Sequence, residues 1–107
     1  MDTIINMRQL LHRDVGVDLP ISGGVGKSIN SPVVIHRMEP NDYTSVEYAY
    51  LRFVCAGRGV TWELITQTLM QHAGRKIDQL KIRTVEQTRT QVVTQTENYY
   101  FDIHECC

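Results

Sequence analysis

Residues 45–76 read SVEYAYLRFVCAGRGVTWELITQTLMQHAGRK, and the assignment of the two runs on either side of Gly57-Arg58-Gly59 decides the fold. In the first run the side chains alternate. Val46, Tyr48, Tyr50, Arg52 and Val54 fall on one face, and Glu47, Ala49, Leu51, Phe53 and Cys55 on the other, apolar after Glu47, so a strand is expected over 45–56. In the second run Trp62, Ile65, Leu69 and Ala73 recur at three- and four-residue spacing. Thr61 sits where an N-cap is wanted, Glu63 in the first turn, and Gly74 with Arg75 and Lys76 at the end, so a helix is expected over 61–73.

Downstream, Leu80, Ile82 and Thr84 alternate with Lys81, Arg83 and Val85, and Tyr99, Phe101 and Ile103 alternate with Tyr100, Asp102 and His104. The threonine- and glutamine-rich stretch between them favours strand and turn over disorder. Upstream, Val33-Val34-Ile35 reads as strand and Glu39-Pro40-Asn41-Asp42 as turn. Ile4, Met7, Leu10, Leu11 and Val15 have helical spacing, which predicts a short N-terminal helix over 1–15. The expected architecture is a single α+β domain over 1–107: an antiparallel, meander-type sheet of four to five strands with a central helix on one face. A core over 33–107 follows a loop at 20–32 read as flexible.

The stretch Ser22-Gly-Gly-Val-Gly-Lys-Ser28 within that loop resembles the variant phosphate loop of partition-type ATPases over seven residues. Ser22 stands at the position of that loop's signature lysine. Pro32 follows Ser28 too closely for a helix to grow, so the free amides that would hold a phosphate are missing. A better-placed anion site is the turn of Gly57, Arg58, Gly59 and Thr61, on the expectation that a helix starts there.

Other chemistry is sparse. His12, His36, His72 and His104 are scattered, without zinc-finger spacing to the cysteines, and His104-Glu105-Cys106-Cys107 lacks the separation with which two cysteines share one ion, so no metal is expected. No G-x-S-x-G elbow occurs, Pro20 standing at its first position, and the sequence marks no serine–histidine–acid set. No cofactor and no catalytic residue is therefore assigned. Three cysteines do not form a disulfide framework.

A net charge of −1 gives no general attraction to nucleic acid. Between 75 and 89 five basic residues face two acids, whereas 90–107 holds Glu97, Asp102 and Glu105 with no lysine or arginine. Pairing of these segments as neighbouring strands would neutralise both. No apolar run approaches the roughly 18 residues of a membrane helix, and the first residues lack a signal-peptide pattern, so the expected location is cytoplasmic without a membrane partner.

Two functional expectations follow. The first is a non-enzymatic interaction module, a homo-oligomer and most simply a dimer, with Tyr48 and Tyr50 at the contact. The second is a small-molecule binder, anionic ligands included, with an aromatic cup between sheet and helix lined by Tyr48, Tyr50, Trp62 and Tyr99.

Overall fold

A computed structural model describes residues 19–37 and 42–106. The helix expected over 1–15 and the turn residues 39–41 lie outside the described residues. In chain order the elements are β1 (Ile21–Gly23), β2 (Val33–Ile35), α1 (Tyr43–Arg58), β3 (Thr61–His72), β4 (Arg75–Gln87), β5 (Val92–Asp102) and a 3₁₀ turn (His104–Cys106). One five-stranded sheet has the order β1-β2-β5-β4-β3. It is mixed: β3, β4 and β5 form an antiparallel meander and β1 pairs antiparallel with β2, but β2 runs parallel to β5. The α+β class and a mostly antiparallel five-stranded sheet agree with the expectation; a purely antiparallel meander does not.

The two segments flanking Gly57–Gly59 exchange roles. The 45–56 run is a helix because its apolar side chains also repeat at i, i+4: Val46, Tyr50 and the pair Leu51, Cys55 are all buried on one side. Its start is fixed by Asp42, whose side chain accepts from the Ser45 N–H at 2.8 Å. Its end is a glycine cap. Gly59 takes φ 73°, and its N–H is given to the carbonyls of Ala56 and Cys55.

The 61–73 run is a strand instead. Three threonines, Ile65 and Trp62 favour extended backbone, and the Ala73–Gly74 pair, both at positive φ, makes a two-residue hairpin turn into β4. The helical spacing of Trp62, Ile65 and Leu69 arises because β3 is an edge strand with a bulge between Leu64 and Thr66. Exposed nearly throughout, it carries no pressure to alternate apolar and polar residues.

The core lies between α1 and the inner face of the sheet. Leu80 and Ile82 of β4, Tyr99 and Phe101 of β5, and Val33 and Ile35 of β2 pack with Tyr50, Leu51 and Cys55. Tyr50 meets Phe101 edge-on, ring centroids 5.7 Å apart. Across β4 and β5 the basic and acidic segments are neighbours as expected, and Arg75 pairs with Asp102.

The glycine-rich stretch is tied down rather than loose. Ser22 and Gly23 belong to β1, and the turn beyond is closed by Gly24 N–H to the Pro32 carbonyl at 2.9 Å and Gly26 N–H to the Ser31 carbonyl at 3.0 Å. The Tyr100 N–H donates to the Gly26 carbonyl at 2.8 Å, fastening the turn to β5. A β-carbon on Gly24 would stand 2.4 Å from the Ser31 carbonyl oxygen, so the sequence needs glycine there for close backbone approach.

Candidate functional site

A cavity of about 470 Å³ opens between the 24–28 turn, the last turns of α1 and β5. Its apolar walls are Val25, Val54 and the rings of Tyr50 and Tyr99; its polar groups are Lys27, Arg58, Glu97 and Gln95. Tyr50 is held by packing on Phe101 and by its hydroxyl, which donates to the Val25 carbonyl at 2.7 Å. Burial pushes the Tyr50 and Tyr99 phenols above their ordinary pKa, so both rings meet a ligand as neutral groups.

Glu97 is the hub of the polar wall. The alternation that puts Tyr99 and Phe101 on the core face of β5 puts Glu97 there too, and its side chain is only 8% exposed. A carboxylate so placed needs donors, and it has five: besides a long contact from the Tyr99 hydroxyl at 3.5 Å, four are short. Arg58 supplies two through separate terminal nitrogens, each at 2.7 Å. Lys27 Nζ lies at 2.8 Å and the Thr84 hydroxyl donates at 2.9 Å. The Arg58 guanidinium, joined by Lys27 and Thr84, holds the Glu97 carboxyl down at about 2 despite its burial. In return Glu97 raises the already high Arg58 pKa.

Lys27 also lies over the Tyr99 ring, 4.6 Å from its centroid. Two cations against one carboxylate leave the mouth with a unit of positive charge. Lys27 and Arg58 are the solvent-reachable members, their side chains 50% and 37% exposed. The arrangement suits an apolar or aromatic body inside and a negative group outside.

Of the residues singled out by sequence, Arg58, Tyr50 and Tyr99 meet at this cavity. Gly57, Gly59 and Thr61 do not: a helix ends at that turn instead of starting, so it presents carbonyls, and the Gly59 N–H is already used by the cap. Thr61 opens β3, its hydroxyl facing the Val85 carbonyl at 3.5 Å. Tyr48 and Trp62 pack edge-to-face with centroids 5.9 Å apart, outside the cavity lining. Tyr50 is 1% exposed, which removes it from any surface open to a partner.

Sequence reasoning missed Lys27, set aside with its glycines, and Glu97, counted among the acids of the 90–107 segment. The signal for Glu97 was its register with Tyr99 and Phe101: an acid on the apolar face of a strand implies cations from elsewhere.

Among the described residues, no group of three or more histidine, cysteine, aspartate or glutamate side chains is placed to hold a metal ion, and no helix is long and apolar enough to cross a membrane. No family model, curated protein or solved structure matches the chain.

Proposed function

We propose that this protein binds a small amphipathic anion, its apolar or aromatic body between Tyr50, Val54 and Tyr99 and its negative group at Lys27 and Arg58. The observation that carries this reading is the cationic mouth on an apolar cavity of about 470 Å³. Glu97 has a structural part in it. By fixing both cations it leaves little side-chain entropy to be lost when an anion arrives.

Anilinonaphthalene sulfonate, an aromatic anion, tests the reading by fluorescence titration and calorimetry. Saturable binding at one site is expected, weakened about tenfold by Lys27→Ala, with an uncharged anilinonaphthalene binding far less. Equal binding of charged and uncharged probes, or no effect of Lys27→Ala, would remove the anion-binding assignment.

Self-association is supported as a second reading by β3. Leu64, Ile65 and Leu69 are exposed along this edge strand, Leu69 to 61%. Edge strands of this length offer free ladder groups, and a two-fold copy would cover them together with the leucines.

A further inference from the structure

Three side chains that are distant in the chain meet at the far edge of the sheet from β3. The β1–β2 register sets Ser22 opposite Val34, and His36, two residues on, lies over the same face. The His36 N–H donates to the Pro20 carbonyl at 2.8 Å, which holds the histidine backbone beside β1. The parallel pairing of β2 with the end of β5 then brings the 3₁₀ turn, and with it Glu105, alongside His36. Ser22 Oγ is 2.7 Å from His36 Nε2, and His36 Nδ1 is 3.0 Å from Glu105 Oε2. An ionised carboxylate only accepts hydrogen bonds. In the neutral imidazole the proton therefore sits on Nδ1, toward Glu105, and the Nε2 lone pair receives the Ser22 O–H. This is the order of donors that a serine nucleophile requires.

We propose that Ser22, His36 and Glu105 form a hydrolytic triad acting on carboxylic esters, with Ser22 as nucleophile, His36 as general base and acid, and Glu105 as the positioning residue. Two neighbouring features give the ester a place. A groove of about 360 Å³ runs along the same face of the sheet, with Ile29, Pro32, Val34 and Ile77 as its apolar wall and Asn30, His72, Arg75 and Asp102 as its polar one. Val34, which lines the groove, is the register partner of Ser22, so this end of the groove adjoins the nucleophile's strand. The ladder bonds at Pro20 and Gly24 alternate so that the Gly23 N–H is turned to the open edge of β1 among the described residues. Gly23, at φ 83°, follows the nucleophile directly and supplies a donor for the carbonyl oxygen as it becomes negative.

As Ser22 Oγ bonds to the carbonyl carbon, its proton passes to His36 Nε2. His36 returns that proton to the alcohol oxygen as the carbon–oxygen bond to the leaving group breaks. Water then adds to the acyl-serine, giving a proton to His36, which passes it to Ser22 Oγ as the carboxylic acid departs. Glu105 stays ionised throughout. These residues lie outside the Lys27–Arg58 cavity, so this proposal and the binding reading stand or fall separately.

The test uses the full chain with p-nitrophenyl butyrate as substrate and a fluorophosphonate as label, the adduct located by peptide mass spectrometry. The expected results are turnover and an adduct on Ser22, both lost in Ser22→Ala, and labelling slowed about 100-fold or more in His36→Gln. Glu105→Gln should lower kcat with KM little changed, and Glu105→Asp should recover part of the loss. Ser22→Cys, which keeps a nucleophile in place, should still form an acyl adduct if Ser22→Ala proves unfolded by circular dichroism. Turnover that persists in folded Ser22→Ala, an adduct elsewhere, or no adduct on the folded wild-type chain would overturn the proposal.

Discussion

Arg58 and Glu97, 39 positions apart in the chain, are joined by two hydrogen bonds of 2.7 Å, one from each terminal nitrogen to a separate carboxylate oxygen. This fork ties the last residue of α1 to the middle of β5, and Lys27 of the glycine turn closes on the same carboxylate. Three parts of the chain thus share one buried acid.

The two partners should differ when removed. Glu97→Ala removes the one acid on which Arg58, Lys27 and Thr84 converge and should cost about 3 kcal/mol. Arg58→Ala leaves Lys27 on the carboxylate and removes a side chain already 37% exposed, so its cost should be about 1 kcal/mol. Urea unfolding midpoints of the two variants measure the difference.

Acid should unfold the wild type partly through this group. Its folded pKa, about 2, lies below the ordinary value of 4.5, so the stabilisation is complete above the unfolded value and lost as pH falls from there through about 2. In Glu97→Gln, urea midpoints measured between pH 5 and pH 2 should fall less steeply. An identical slope in both proteins would contradict the placement of the charge.

Glycine substitutions should have opposite signs at two sites. Gly24→Ala drives a β-carbon against backbone and should destabilise by about 2 kcal/mol, since no rotamer relieves it. Gly57, in the last turn of α1, has nothing within 4 Å of a would-be β-carbon. Gly57→Ala should stabilise by about 0.5 kcal/mol. Thermal melts of the two variants check both signs.

If copies pair through β3, a charge on its exposed apolar side should separate them. Leu69→Lys should then sediment as a monomer at concentrations where the wild type is a dimer, with the melting temperature of the monomer unchanged. Equal sedimentation of the two proteins would exclude β3 as the contact.

Much of the punctuation was legible in the residues. Gly57–Gly59 and Gly74 end elements where expected, and the alternation of Leu80 with Ile82 and of Tyr99 with Phe101 put those side chains in the core. The candidate site was legible only in part: Arg58, Tyr50 and Tyr99 were visible as types, while Lys27 and Glu97 acquire meaning from each other.

By itself the sequence determined where the chain turns and which downstream strands have an inner face, because turn residues and alternate burial act over a few positions. Tertiary structure decided which of the 45–56 and 61–73 segments is the helix, since the first carries both periodicities and only packing of Tyr50, Leu51 and Cys55 on the sheet selects one. It also decided the parallel docking of β2 beside β5. That pairing sets Ser22, His36 and Glu105 together and lays the glycine turn over Glu97, contacts between residues too far apart in the chain for any local pattern to encode.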